Sequence, residues 1–175
     1  MKTKTILTIS KFLALLGGIK YSIECGAQLT NFIASFINPA WAKNTYQVDL
    51  NIFNILAQST GYYVFGMLLI MAVSAFKATI WYVLYSLLLK LKLQTPFSLE
   101  VQIKLERIAY CFFGVWIISG FFWKTFIYYL SKETNIHLLI NNNADEYIFI
   151  AGIVYIIAQI FKHGIEIQEE NQLTV

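Results

Sequence analysis

Four long apolar runs divide this chain, and their length limits the folds open to it. They occupy residues 12–37, 61–89, 108–130 and 146–161. A helix that crosses a bilayer needs about 20 apolar residues, a length that three runs exceed and the last approaches. Charged residues make up only 13% of the sequence and hydrophobic residues 58%. A soluble domain has about 25% charged residues and about 45–50% apolar residues. We therefore predict an all-α fold, an integral membrane four-helix bundle that forms a single domain over residues 1–175.

The basic residues predict how this bundle is oriented. A charged connector at residues 90–107 separates the second and third runs, and lysine and arginine close to membrane helices stay on the cytoplasmic side. Four crossings place both termini on that side, together with eight of the 13 basic residues: Lys2, Lys4, Lys11, Lys90, Lys92, Lys104, Arg107 and Lys162. The prediction is two helical hairpins with cytoplasmic termini, a cytoplasmic connector and a cytoplasmic tail at residues 162–175.

Short local patterns predict where the helices begin and end. Asn38-Pro39 disfavours continuation of the first helix. In the connector, Thr95-Pro96 or Ser98 is a suitable start for the next helix. Gly164 predicts a helix stop or bend before the acidic tail. The fourth run is then the shortest crossing, roughly 24 Å long if helical.

Ionisable residues inside the runs are informative because each costs a few kcal/mol at the bilayer centre unless it is paired or hydrated. On the first run, polar residues at helical spacing form one stripe that should face protein or water: Lys20, Glu24, Gln28, Asn31 and Ser35. Glu24 and Lys77 of the second run lie at a similar depth, roughly 18 Å from the cytoplasmic edge, which predicts an ion pair between them. The alternative is a local pair between Lys20 and Glu24, four residues apart.

Small residues recur at every fourth position of the same run: Ala14, Gly18, Ser22, Gly26, Thr30 and Ala34. A ridge of small residues lets two helices approach closely, and we place it on the helix face opposite the polar stripe. The ridge packs either on a neighbouring span of the same chain or against a second copy in a homodimer. Both interpretations stay open at the level of the sequence.

The sequence gives little support for catalysis or nucleic-acid binding. We find no nucleophile beside a base, no phosphate-binding loop and no metal-spaced cluster, and we therefore expect neither an enzyme nor a cofactor. The net charge is +3, and the basic residues are not gathered into a patch with interleaved aromatics, so we expect no direct contact with nucleic acid. The partner expected from the composition is the lipid bilayer.

The connector and the end of the chain resemble a known family. Pro96-Phe97-Ser98-Leu99-Glu100 leads through Lys104-Leu105-Glu106-Arg107-Ile108-Ala109-Tyr110 into a span, and the chain closes on Glu170-Asn171-Gln172-Leu173-Thr174-Val175. This pattern resembles the bacterial membrane proteins called domain of unknown function 2975, which end in Glu-Asn-Asp-Leu-Thr-Val or similar. Here Gln172 replaces the acidic residue. The resemblance implies a protein of the bacterial cytoplasmic membrane, often encoded beside a small helix-turn-helix regulator of the Xre type, and brings no established activity.

These observations lead to one functional hypothesis and two alternatives. We predict a regulatory or interaction protein whose connector and tail bind a soluble cytoplasmic partner, with the Xre-type regulator as the partner that the resemblance implies. The tail residues expected to contact it combine acidic and apolar side chains suited to a basic groove: Ile165, Glu166, Ile167, Glu169, Glu170 and Leu173. The alternatives are a small transporter or channel component that uses the polar stripe and a structural membrane subunit.

Overall fold

The computed structural model describes residues 3–45, 52–91, 97–134, 136, 138 and 144–173. Within these residues the chain is helical, in the order α1 (Thr3–Ile37), α2 (Pro39–Thr45), α3 (Ile52–Gln58), α4 (Thr60–Lys90), α5 (Leu99–Trp116), a π-helical turn (Ile117–Phe122), α6 (Trp123–Thr134) and α7 (Ala144–Leu173). Four helical stretches are long and apolar enough to cross a membrane, namely α1, α4, α5 together with α6, and α7. The prediction of an all-α, four-helix membrane bundle is confirmed.

The long helices pack in chain order, α1 against α4, α4 against α5, and α5 against α7. Neighbours run antiparallel. Ser35 near the end of α1 meets Tyr63 near the start of α4, while Gly17 in the first half of α1 faces Trp81 in the second half of α4. The start of α1 and the end of α7 therefore lie at the same end of the bundle, which we call the terminal end. The opposite end, where α3 and α6 lie, is the far end.

The break after α1 follows the predicted pattern at Asn38-Pro39. The side-chain oxygen Oδ1 of Asn38 accepts a hydrogen bond from the Trp41 amide at 3.2 Å, which satisfies a donor that the first turn of α2 leaves without a helical partner. Pro39 takes the first position of α2, where its missing N–H is not needed. α1 ends at Ile37, the limit predicted from the sequence.

The second half of the connector and the predicted third span form one helical stretch from Leu99 to Thr134. Ser98 is its N-cap, since Oγ accepts a hydrogen bond from the Val101 amide at 3.4 Å. The other start that we considered, Thr95-Pro96, lies outside the described residues. Between α5 and α6 the helix widens into the π-helical turn, a feature frequent at functional sites. The helical stretch therefore extends beyond residues 108–130 at both ends.

Of the stop or bend predicted at Gly164, the stop is wrong, because α7 continues to Leu173. A Cβ atom on Gly164 would lie 2.8 Å from Cδ1 of Phe97, so the glycine admits an aromatic ring to the helix surface. An isolated glycine costs a helix only about 1 kcal/mol, which the rest of a long helix offsets. The predicted limits at residues 146–161 describe only the middle of α7.

Two buried clusters fill the bundle, one at each end. The far cluster joins α3, α4 and α6 and contains Ile55, Tyr63, Met67, Leu69, Phe126, Ile127, Leu130 and Leu138. The terminal cluster joins α4 and α5 and contains Ile80, Leu87, Val101, Ile108 and Val115. Because lipid is as apolar as these side chains, close packing rather than removal from water holds such helices together. Lys77 of α4 lies between the two clusters along the helix.

Candidate functional site

The polar stripe of α1 faces α4 at two of its five positions. Ser74 Oγ donates a hydrogen bond to Glu24 Oε1 at 3.1 Å. Near the end of α1, the Tyr63 hydroxyl donates to Ser35 Oγ at 2.9 Å, and both side chains are buried. Gln28 Oε1 is also buried. The stripe was predicted to face protein or water, and it contacts protein at Glu24 and Ser35, whereas Lys20 is exposed.

Neither predicted ion pair is present. The ion pairs among the described residues include those of Lys90 and Lys104 with Glu100 and that of His163 with Glu166, and none involves Lys20, Glu24 or Lys77. Glu24 instead bonds to Ser74, and the ammonium groups of Lys20 and Lys77 lie over aromatic rings. The local pair from Lys20 to Glu24 is ruled out by the same contacts.

The register of α1 against α4 explains why the predicted pair fails. In the contact between Ser35 and Tyr63, as in that between Glu24 and its partner on α4, the two residue numbers add up to 98. This register places Lys77 opposite Tyr21. Pairing Lys77 with Glu24 would require a shift of three residues, roughly 4.5 Å along the helix. The prediction had assumed that the two spans end level with each other.

The ridge of small residues does not stay on one face of α1. A spacing of four residues drifts by about 40° per step, so a ridge of six residues turns by about 200°. Its first half faces α4, where a Cβ on Gly18 would lie 2.9 Å from Cε1 of Tyr82 and Ser22 Oγ bonds to the Tyr82 hydroxyl at 3.1 Å. Its second half turns away, and a Cβ on Gly26 would meet nothing within 4 Å. The placement of the whole ridge opposite the stripe is therefore wrong, and the homodimer remains a prediction.

Lys77 lies in an aromatic cage formed by two other helices. Its ammonium nitrogen Nζ is 5.6 Å from the centroid of the Tyr21 ring on α1 and 5.5 Å from that of the Tyr147 ring on α7. Phe112 of α5 stacks on Tyr147 with the centroids 6.4 Å apart. An ammonium over the face of a tyrosine is stabilised by the ring quadrupole, most strongly where water is scarce. Side chains of α1, α4 and α7 thus meet at this cation, and α5 packs against Tyr147.

A cavity of about 390 Å³ opens beside the cage, and we call it the Lys77 cavity. Its apolar walls come from α4, α5 and α7: Ile80, Trp81, Leu84, Leu105, Ile108, Phe112 and Val154. On α4 and α7, which end at the terminal end, these residues follow Lys77 and Tyr147. On α5, which begins there, they are Phe112 and residues before it. The cavity therefore extends from the cation towards the terminal end. Its volume is within the range of about 300–1,000 Å³ typical of small-molecule sites.

Sequence reasoning singled out Lys77 but missed its neighbours. Tyr21 and Tyr147 were indistinguishable from other aromatic residues, which make up 17% of the chain. Tyr21 directly follows Lys20, and an aromatic residue beside an intramembrane cation was the one signal that pointed towards a cage. Tyr147 gave no such signal, because its contact with Lys77 depends on how α7 docks.

The terminal end presents the connector and the last part of α7. Glu100 accepts contacts at 3.6 Å from Lys90 and from Lys104, and Lys104 Nζ also donates to Ser86 Oγ. This clasp joins the end of α4 to the start of α5. Beyond Gly164, α7 continues for nine residues, roughly 14 Å.

The predicted tail residues are thus part of a helix. Glu166, Ile167, Glu169 and Glu170 are exposed, and Ile165 is half-buried. On a helix, the three glutamates lie within about 100° of one another, so they form one acidic face. Leu173 is the last residue of α7.

Comparison with known families agrees with the resemblance at the connector and tail. The sequence profile described as protein of unknown function (DUF2975) matches residues 28–175. The chain belongs to the DUF2975 family. The DUF2975 match includes Lys77, Tyr147 and all of α7, whereas Lys20, Tyr21 and Glu24 precede it. Comparisons with curated proteins and with solved structures gave no match.

Proposed function

We propose that this DUF2975 protein is a regulatory or interaction protein of the bacterial cytoplasmic membrane, which binds a soluble partner through its connector and the end of α7. The observation that carries the proposal is the continuation of α7 as a helix beyond Gly164. A tail ordered as a helix presents its side chains in a fixed pattern, which lowers the entropy lost on binding.

The distribution of charge supports a cytoplasmic location for this surface. Lys4, Lys11, Lys90, Lys104 and Arg107 belong to the terminal half of the bundle, at the start of α1, the end of α4 and the start of α5. Basic residues beside membrane helices are retained in the cytoplasm. Both termini and the connector then face the cytoplasm together.

The chemistry of the tail indicates what kind of partner it fits. Glu166, Glu169 and Glu170 form the acidic face, and the exposed side chain of Ile167 borders it. A complementary surface would carry lysine or arginine around an apolar contact. A helix-turn-helix regulator of the Xre type has such a basic surface, because it must bind DNA phosphates, and it is the partner that the family resemblance implies.

The two alternative functions have less support. Glu24 and Ser35 bond to side chains of α4 and do not line the Lys77 cavity. A small transporter or channel component would need hydrated polar groups along a path. A structural membrane subunit would need neither a hydrated path nor an acidic helix at the terminal end.

The test is affinity purification of the full-length protein from gently solubilised membranes, followed by quantitative mass spectrometry. We expect the variant with Glu166→Gln and Glu169→Gln to lose its soluble partner. The matched control is Asp145→Asn with Glu146→Asn, which removes two exposed carboxylates from the opposite end of the same helix and should retain the partner. Equal recovery with both variants would contradict the proposal, as would loss with the control alone.

A further inference from the structure

We propose that the Lys77 cavity binds one anionic phospholipid of the surrounding bilayer, with the headgroup phosphate at Lys77 and part of an acyl chain along the apolar walls. The proposal concerns a surface inside the membrane and is independent of the partner proposed for the tail.

The first step of the argument is the charge of Lys77. An ammonium group inside a bilayer is costly and is usually paired or hydrated. In the described part of the chain, Lys77 takes part in no ion pair and is held by the faces of Tyr21 and Tyr147. Ring faces stabilise the cation but leave its positive charge in place, so the site still attracts an anion.

The acidic residues on the two helices that carry the tyrosines do not form ion pairs with Lys77 in the described structure. Glu24 on α1 is engaged by Ser74. Asp145 and Glu146 precede Tyr147 in the first turn of α7 and are exposed, where they favourably oppose the positive end of the helix dipole. None of these carboxylates forms an ion pair with Lys77 in the described structure.

The second step is the shape of the cavity. One end carries the cation and the two tyrosines, whose hydroxyl groups are hydrogen-bond donors. From there towards the terminal end, the cavity is lined by aliphatic and aromatic side chains, among them Trp81, Leu84 and Val154. A charged end followed by an apolar slot matches an anionic head followed by a hydrocarbon chain, and a soluble anion would leave the slot unfilled.

The third step is the depth of the site. Lys77 precedes Lys90, the last residue of α4, by 13 residues, roughly 20 Å. If Lys90 marks the cytoplasmic edge of a hydrocarbon core about 30 Å thick, Lys77 lies in the outer leaflet. This depth is about 10 Å below the outer edge of the core, and an ammonium group inside a bilayer draws headgroups and water inward by local thinning. An outer-leaflet lipid that reaches Lys77 in this way has its head outward and its chains inward, which is the direction of the cavity.

The experiment measures lipid binding to the purified, delipidated protein by native mass spectrometry. The protein is titrated with phosphatidylglycerol, which is anionic, or with phosphatidylcholine, which has no net charge. A single lysine near a headgroup contributes about fivefold to anionic-lipid affinity, so we expect phosphatidylglycerol to bind about fivefold more tightly. Lys77→Met should abolish this preference, and Lys77→Arg should keep it.

Two controls separate the cavity from general charge effects. Lys20→Met removes a cation over the same Tyr21 ring but outside the cavity lining, and should keep the preference. Leu84→Trp should fill the slot and weaken binding of both lipids, a result that does not depend on the stability of the Lys77 variants.

Several results would overturn the proposal. They are equal affinity for the two lipids, a preference that survives Lys77→Met, a preference lost equally with Lys20→Met, or unchanged binding in Leu84→Trp. Displacement of the lipid by excess inorganic phosphate would show a site for soluble anions and would also overturn it.

Discussion

In each half of the bundle an aromatic ring packs against a glycine, but the surroundings of the ring differ between the two halves. In the far half, Phe126 rests on Gly66 and is enclosed by the rings of Tyr62, Phe65 and Trp123, with centroids 5.4 to 6.3 Å away. In the terminal half, the Trp81 ring rests on Gly17 and also borders the Lys77 cavity. A cavity of about 280 Å³ borders Phe126 and the Lys77 cavity of about 390 Å³ borders Trp81, so the two contacts differ in how closely other rings enclose the aromatic side chain and in the size of the space beside it.

This difference suggests that the far half sets the stability of the fold and that the terminal half provides a binding site. In a closely packed interior, a change in side-chain volume strains the neighbouring residues, so the far half should set the stability of the fold. Binding sites are drawn from regions with fewer packing contacts, and the terminal half offers such a region next to a charge. Substitutions at matched positions in the two halves can test this division.

The largest effect is expected for Phe126→Ala in the far cluster. Phe126 is 3% exposed, and its removal leaves a cavity among the rings of Tyr62, Phe65 and Trp123, at a cost of about 3 kcal/mol in the free energy of unfolding. Phe121→Ala is the control, because Phe121 is 65% exposed and should change stability little. Unfolding of the purified protein in detergent, followed by circular dichroism, gives both values. Similar losses for the two variants would mean that the far cluster does not dominate stability.

A smaller effect, with a predicted order, is expected when glycines are enlarged. Gly66→Ala places a Cβ 2.9 Å from Phe126 Cζ, and Gly17→Ala places one 2.4 Å from Trp81 Cδ2. Distance alone ranks Gly17→Ala as the worse change. Three neighbouring rings hold Phe126 in place, whereas Trp81 borders the larger of the two cavities. We therefore predict about 2 kcal/mol for Gly66→Ala and about 1 kcal/mol for Gly17→Ala.

Gly26→Ala calibrates this comparison on the same helix as Gly17. A Cβ there meets nothing within 4 Å, so the higher helix propensity of alanine should leave stability unchanged or raise it by up to about 1 kcal/mol. The same unfolding assay applies to all three alanine variants. A larger loss for Gly17→Ala than for Gly66→Ala would show that the terminal half is as tightly packed as the far half.

The sequence predicted features that depend on one helix at a time. Hydropathy located α4 to within one residue at each end, Asn38-Pro39 marked the end of α1, and Ser98 was one of the two helix starts considered for α5. The period of 3.6 residues also placed Glu24 and Ser35 on a common face. Each of these features follows from local steric and hydrogen-bonding rules, so neighbouring residues suffice to specify it.

Features that depend on how two helices dock could not be predicted in the same way. The error of three residues at Lys77 arose because register is set by ring-on-glycine contacts such as Gly17 with Trp81, which are remote in sequence. The cage residues Tyr21 and Tyr147 come together only once that register and the docking of α7 are fixed. The sequence predicts a helix stop or bend at Gly164, but the glycine makes room for Phe97, which lies on another segment.

The smallest effect is expected for Glu100→Gln, which tests whether the ion pairs at the terminal end act independently of the Lys77 cavity. Glu100 is 51% exposed and joins Lys90 and Lys104 at 3.6 Å, so Glu100→Gln removes both ion pairs without disturbing the cavity lining. Exposed ion pairs contribute about 0.2–1 kcal/mol and are screened by salt, and Lys104 keeps its contact with Ser86. We therefore expect a loss of about 0.5 kcal/mol in unfolding free energy, which disappears at high salt, with unchanged lipid preference. A loss that persists at high salt, or a change in lipid preference, would show that the clasp holds the cavity open and that the two features act as one unit.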